Sequence, residues 1–269
     1  MLLKEYIKSI EPLIINNGKE IEAVKKLLIE LHYHSVANFL LSYNDEFPLF
    51  LEKEVNKYLL DGKPIEYILG YQYFYNLKLK VNENTLIPRK ETEILVEEAI
   101  KRIKENNYQK VLDLCTGTGA IALSVKNEVK DITVKASDIS KEALKIAKEN
   151  SDNYNLDIEF IESDIFDNID YDCDIILSNP PYISHDEYVD KIVVDNEPHL
   201  ALFADNDGLY FYEKIITESK KIKSLKMIIF EIGYRQANSI KQIAINNGYN
   251  FEVIKDYQGL DRIVILNAI

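Results

Sequence analysis

Apolar residues recur at helical spacing over 1–71. Leu2, Leu3, Tyr6, Ile7 and Ile10 form one series. Ile21, Val24, Leu27, Leu28 and Leu31 form a second, and Phe50, Leu51, Val55 and Leu59 a third. Asn16-Asn17-Gly18 and Asp61-Gly62 interrupt the pattern with turn-forming residues. The spacing predicts a small bundle of four or five short helices. From Gln72 to Val81 the period shortens to alternation: Tyr73, Tyr75, Leu77, Leu79 and Val81 share one phase, and Asn76 sits between the two halves. That predicts a β-hairpin, and 72–88 reads as a linker. Pro88 stops the second strand. A helix follows from about Thr92 to Glu105, with Thr92 or the carboxylates beside it as its cap.

From 89 to 269 short apolar runs alternate with helical patterns. The runs are Val111–Leu114, Ile132–Ala136, Ile158–Glu162, Ile175–Leu177 and Met227–Glu231. Phe251–Lys255 and Arg262–Leu266 close the chain as a pair. Lys141–Ser151 and Ala237–Asn247 are among the helices between them. Strand, helix, strand in series predicts an α/β domain with a Rossmann-like, seven-stranded and largely parallel sheet.

Composition narrows the class. The chain has 269 residues, 46% of them apolar, with 18 Tyr and 10 Phe, enough for a substantial core. Its two cysteines, Cys115 and Cys173, are too few for a disulfide framework or a cysteine zinc site, which suits a reducing cytoplasm. His32 and His34 face different ways on a helix, and no metal site is read. No apolar run approaches the roughly 20 residues of a membrane helix. The N-terminal stretch carries charges among its apolar positions and is no signal peptide. A net charge of −13 argues against a broad phosphate-binding face.

The chemistry concentrates at strand ends. The run Ile175–Leu177 breaks off into Ser178 and then Asn179-Pro180-Pro181-Tyr182. A central strand thus delivers one carboxamide to the carboxyl edge, where open α/β sheets bind ligands. Two prolines make a stiff turn whose carbonyls are free of a local ladder. The Asn179 side-chain oxygen and the Pro180 backbone oxygen are then placed to accept two hydrogen bonds from one planar NH2 group, with the Tyr182 ring against its flat face. The bland alternative is a proline-rich loop.

Upstream, the first strand of the sheet runs into Asp113-Leu114-Cys115-Thr116-Gly117-Thr118-Gly119. Its glycines permit a tight turn and close backbone approach. Asp138 ends the next strand, 19 residues after Gly119 (138 − 119), a spacing that suits a carboxylate on ribose hydroxyls. The pair fits a nicotinamide enzyme as well as a nucleoside-cofactor methyltransferase. Ser163-Asp164-Ile165-Phe166 reads first as a helix cap. Otherwise it reads as an acid and an apolar pair bordering an adenine.

The order of these features resembles the class I methyltransferases that use S-adenosylmethionine and modify NH2 groups on planar carbon. Pro64–Glu93, Asn196–Leu209, Phe230–Gln236 and Asp256–Ile265 resemble, in the same order, the peptide chain release factor glutamine methyltransferases of the PrmC/HemK family. The resemblance implies a helical substrate-recognition domain over 1–71 and a catalytic domain over 89–269. It implies methylation of the glutamine side-chain nitrogen in the Gly-Gly-Gln loop of release factors. The acidic balance leads us to expect no direct nucleic-acid partner, and a cytoplasmic monomer is expected. It assigns Cys115, Thr116, Gly117, Thr118, Gly119, Asp138, Asp164, Ile165 and Asn179 to the cofactor. Asn179, Pro180, Pro181 and Tyr182 fall to the substrate, with Asn179, Pro180 and Tyr182 catalytic. Two departures from the family pattern stand out: Cys115 replaces a usual glycine and Lys90 a usual proline. A ribosomal-protein glutamine methyltransferase shares the chemistry. A DNA adenine methyltransferase shares the clamp but needs a basic cleft for a flipped base. A silent adaptor and a dehydrogenase leave the clamp without a role.

Overall fold

The computed structural model describes residues 1–170 and 172–268. Two compact units emerge. One is Met1–Tyr71 with Asp190–Asn196; the other is Gln72–Val189 with the chain from Glu197 onward.

The first unit contains α1 (Leu3–Asn16), α2 (Ile21–Leu28), α3 (Val36–Leu41), α4 (Glu52–Leu59) and α5 (Ile65–Leu69). The helical series point inward as their spacing predicts: Leu3, Tyr6, Ile7, Ile10, Val24, Leu27, Leu28, Leu51, Val55 and Leu59 are buried in one cluster. Tyr6 stacks flat on Phe47 there. Phe50 departs from the expectation and is 67% exposed. It lies in a tight turn, Leu49–Leu51, ahead of α4, so the helical period begins only at Leu51. Ile192 of α9 (Lys191–Asn196) packs on this cluster, and Asn196 Nδ2 donates to the Gly62 carbonyl at 3.1 Å.

The hairpin consists of β1 (Tyr71–Phe74) and β2 (Leu77–Lys80). Tyr75 and Asn76, both with positive φ, form its turn. A two-residue turn sets Phe74 opposite Leu77. Phe74, Leu77, Leu79 and Val81 are therefore buried while Tyr73 is exposed, so the phase read across Asn76 is wrong for the first strand.

The sheet unit continues with α6 (Thr92–Asn106), β3 (Lys110–Leu114), α7 (Ala120–Glu128), β4 (Thr133–Asp138), α8 (Lys141–Asn153), β5 (Ile158–Glu162) and β6 (Ile175–Ser178). After these come α10 (Asp205–Gly208), α11 (Tyr210–Glu218), β7 (Met227–Glu231), α12 (Ala237–Asn246), β8 (Tyr249–Lys255) and β9 (Asp261–Ala268). The seven strands lie in the order β5-β4-β3-β6-β7-β9-β8. β3 to β7 run parallel, and β9 is antiparallel to both its neighbours. Odd residues such as Val111, Ile175 and Ile229 enter one core layer, and even ones such as Leu112, Ile176 and Phe230 the other. Burial on both faces explains the unbroken apolar runs. No helix among the described residues is long and apolar enough to cross a membrane.

Two side chains at the end of α8 tie the hairpin to the sheet unit: Tyr154, whose hydroxyl accepts from the Lys78 N–H at 2.6 Å, and the buried amide of Asn150. Asn150 of α8 accepts from the Lys80 N–H at 2.7 Å and donates to the carbonyls of Lys80 and Thr118 at 3.1 and 3.0 Å. Asn150→Ala leaves these backbone groups unpaired and is expected to cost about 1–3 kcal/mol, read from urea unfolding. An unchanged midpoint would show that the hairpin is not anchored there.

Candidate active site

Strand order reverses between β3 and β6, and their carboxyl ends are in register, Leu114 beside Ser178. The Ser178 hydroxyl donates to the Leu114 carbonyl at 2.7 Å. Both loops leave from this point, which is where the sheet offers polar groups that no further strand pairs.

The first loop is shaped by left-handed residues: Cys115, Gly117 and Gly119 have φ of 59°, 55° and 80°. Glycine suits all three, and Cys115 adopts the conformation against its Cβ. At Gly119 a Cβ would lie 2.4 Å from Leu123 Cδ1 and 3.3 Å from Ala147 Cβ, so this glycine is sterically required. Asp113, buried in β3, accepts from the Thr116 hydroxyl at 2.5 Å and the Ala122 N–H at 3.2 Å through one oxygen. Its other oxygen has no hydrogen-bond partner among the described residues. Burial pushes its carboxyl up to about 7. The signal that would have revealed it is an acid inside the apolar run Lys110–Leu114.

Asp138, at the end of β4, joins two loops. Its oxygens accept from the Gly117 N–H and the Ser140 N–H, both at 2.9 Å. Ser140 caps α8 by accepting from the Ala143 N–H at 3.2 Å. Burial raises the Asp138 carboxyl above its usual range, against the pull of these N–H groups. A carboxylate has about four lone-pair sites, so acceptors remain for hydroxyls.

No helix begins at Ser163, so the cap reading fails there. The segment turns sharply instead, with Ile165 at a φ of 51°. The Ser163 hydroxyl donates to the Ile165 carbonyl at 3.0 Å and accepts from the Asn168 N–H, which closes the turn. Asp164 pairs with Lys214 of α11 at 3.0 Å. Desolvation opposes the Lys214 charge, but the Asp164 bond outweighs it and the ammonium is held above its usual range.

The Asn-Pro-Pro-Tyr loop is stapled from behind. Gln236 Nε2 donates to the Tyr182 carbonyl at 2.9 Å, and its oxygen accepts from the Gly233 N–H at 3.0 Å. Gly208 packs so close that a Cβ would lie 2.1 Å from the Tyr182 oxygen. Asn179 Nδ2 donates to the Thr92 hydroxyl at 3.3 Å, and that hydroxyl donates to Glu231 Oε2 at 2.5 Å. Thr92 therefore does not cap α6. Glu91 occupies that position without a side-chain bond, and Thr92 is the helix's first residue. The Tyr182 hydroxyl lies 3.5 Å from Glu231 Oε1. Burial raises both the Glu231 carboxyl and the Tyr182 phenol. Among the described residues nothing donates to Asn179 Oδ1 or to the Pro180 carbonyl.

A cavity of about 190 Å³ opens over these strand ends. Of the residues expected at the site, Cys115, Gly117, Asp138, Asp164, Ile165, Asn179 and Pro181 line it. Thr116, Thr118, Gly119 and Pro180 are buried and do not line it; nor does Tyr182, which is half-buried with its hydroxyl turned toward Glu231. Leu86, Ile139, Leu200, Tyr210 and Phe211 complete an apolar lining that the motifs did not single out. Arg89 pairs with buried Glu197, which also accepts from the Ile87 N–H at 3.0 Å, so one carboxylate joins the segments carrying Leu86 and Leu200.

An acid at a ribose-spaced strand end, a glycine wall and apolar flanks fit a nucleoside cofactor. A Cβ at Gly117 would meet nothing within 4 Å, which leaves the room such a group needs. Among the described residues no three His, Cys, Asp or Glu side chains gather to hold a metal. This sheet order with this site defines a class I methyltransferase that uses S-adenosylmethionine. The Methyltransferase small domain family matches residues 90–201. The release factor glutamine methyltransferase of Lactococcus lactis is 44% identical over 83% of this chain and 84% of its own length. That of Streptococcus pneumoniae is 38% identical over 99% of both. The chain belongs to the release factor glutamine methyltransferase family. The fold alone is shared with a methyltransferase from Pyrococcus furiosus, at a TM-score of 0.53 and 17% identity over 82% of this chain and 96% of that one. It is also shared with human methyltransferase 10 domain containing protein, at 0.51 and 13% over 72% and 90%.

Gly119→Ala forces a Cβ into α7 and a left-handed conformation. It is expected to cost at least about 1–2 kcal/mol and to weaken S-adenosylmethionine binding in calorimetry; unaltered affinity would mean the turn tolerates a side chain. Asp113 gives the fold a pH dependence. Its folded pKa lies above the unfolded value, so its contribution to stability is complete below about pH 4 and is lost as pH rises through about 7. Asp113→Asn does not titrate. Its unfolding free energy is expected to improve relative to the parent between about pH 5 and pH 7.5, and parallel pH curves would refute the assignment.

Proposed function

We propose that the chain transfers a methyl group from S-adenosylmethionine to the side-chain amide nitrogen of the glutamine in the Gly-Gly-Gln motif of peptide chain release factors. The observation that carries this reading is the pair of unengaged acceptors, Asn179 Oδ1 and the Pro180 carbonyl, on a stapled loop at the cavity. Relatives that share 38–44% identity are named release factor glutamine methyltransferases.

When bound, S-adenosylmethionine supplies an electrophilic methyl group on a sulfonium. Asp138 receives the ribose hydroxyls, and Cys115, Thr116, Gly117, Thr118 and Gly119 form the wall beside it. Asp164 and Ile165 border the adenine, with Lys214 fixing the Asp164 carboxylate. Asn179 faces both ligands. A carboxamide nitrogen is a poor nucleophile because its lone pair is delocalised. Two acceptors on its hydrogens, Asn179 Oδ1 and the Pro180 oxygen, return density to it and fix its direction. Pro180, Pro181 and Tyr182 hold the glutamine. Placement of this kind is worth roughly 7–11 kcal/mol in well-oriented reactions.

The net charge of −13 favours a protein substrate over nucleic acid. The working unit proposed is a monomer. Two free cysteines and a translation-factor substrate favour the cytoplasm. The bundle over 1–71 is the substrate-recognition domain, 72–88 the linker and 89–269 the catalytic domain.

Mass spectrometry of a release factor incubated with the protein and S-adenosylmethionine is expected to show one added methylene on that glutamine. Asn179→Ala, folded and still binding cofactor, is expected to lose activity by about 100-fold or more. A variant at near-parental turnover would remove Asn179 from the reaction.

A further inference from the structure

We infer that Thr92 and Glu231 form an orientation lock that decides which end of the Asn179 carboxamide faces the cavity. An asparagine amide presents an acceptor at one end and two donors at the other, and the two orientations have nearly the same shape. Shape alone therefore does not choose between them; a hydrogen-bond partner must. The Thr92 hydroxyl has one proton, and it is given to Glu231 Oε2 at 2.5 Å. Toward Asn179 the same oxygen is left only to accept, and it accepts from Nδ2 at 3.3 Å. The NH2 end is thereby turned to α6, and Oδ1 is turned away from it, on a side chain that lines the cavity.

The lock is built rather than incidental. Thr92 is 4% and Glu231 2% exposed, so water does not compete for these bonds. Glu231 ends a strand deep in the sheet, and its backbone carbonyl accepts from the buried Tyr212 hydroxyl at 2.8 Å. Its second carboxylate oxygen faces the Tyr182 hydroxyl at 3.5 Å. One carboxylate thus addresses both ends of the Asn-Pro-Pro-Tyr loop. Reversing the amide would place a donor where the clamp needs an acceptor. Against a substrate NH2 that is donor facing donor, and the clamp would lose one of its two acceptors. Thr92 and Glu231 reach Asn179 and Tyr182, not the reacting atoms, and are positioning residues.

The inference deepens the glutamine methyltransferase reading and rests on it for its kinetic arm. The test compares the parent protein, Thr92→Val and Thr92→Ser. Valine keeps the shape and removes the hydroxyl; serine restores it. With a release factor as substrate, Thr92→Val is expected to lower kcat about 10- to 100-fold with the KM for S-adenosylmethionine unchanged, and Thr92→Ser to recover most of the rate. A purely structural role would move thermal stability and both variants together. The second arm needs no substrate: the Asn179 side-chain NH2 is followed by nitrogen–proton NMR, its signal assigned by loss in Asn179→Ala. One of its two protons is expected to be protected from exchange in the parent and in Thr92→Ser, and exposed in Thr92→Val. Failure of the parent to methylate any release factor would sink the substrate reading alone. Equal protection in Thr92→Val and the parent, or two unprotected protons in the parent, would overturn the lock itself. So would full parental kcat in Thr92→Val.

Discussion

The parallel pairing of β3 with β6 is the constraint on which the site depends. Strands leave this pair in opposite directions across the sheet, toward β4 and β5 on one side and β7 on the other. Their crossovers consequently diverge and leave a crevice above the Leu114 and Ser178 ends. Several polar groups of the site sit where a strand runs out. Asp138 ends β4, the turn at Asp164 follows β5, Asn179 follows β6 and Glu231 ends β7. Apolar burial sets the sheet, and the sheet sets the places at which chemistry is exposed.

What makes those places rigid is a set of buried carboxylates used as acceptors for loop groups. Asp113 holds the glycine turn through Thr116 and Ala122. Glu197 gathers Ile87 and Arg89, Asp256 takes two loop N–H groups and Arg262, and Glu231 takes Thr92. A buried acid is unfavourable by itself, and desolvation raises Asp113, Asp138 and Glu231 alike. Each offsets that cost by satisfying backbone or hydroxyl donors that would otherwise be stranded. The resulting frame suits a reaction in which a weak nucleophile has to be aimed. Under the proposed reaction, placement rather than a strongly activated base would carry the rate. Several motifs gain a physical meaning from this frame. The acid of Asn196–His199 is a tie between cavity walls, and Asp256 closes the turn between the last two strands. Gln236 and the close approach of Gly208 fix the Tyr182 carbonyl.

Much of this was legible along the chain. Period-3.6 runs gave the first unit's core because a helix must bury one stripe, and unbroken apolar runs gave the central strands because both their faces are covered. Gly117, Gly119, Asp138 and Asn179 announced themselves because each is a residue type that breaks an apolar run at its carboxyl end. The legible part ended where partners are distant in sequence. Thr92 looked like a cap because its neighbours satisfy a local rule; its hydroxyl instead meets a residue 139 positions away. Phe50 and Tyr73 followed the local period and yet lie at the surface, since a tight turn and a two-residue hairpin loop shift the phase. The sequence by itself determined the order of elements and the strand-end residues, which depend on local spacing, and the acidic character, which depends on composition alone. Only the tertiary structure decided which carboxylate answers which loop, and which way the Asn179 amide turns, because hydrogen bonds between remote segments leave no period to read.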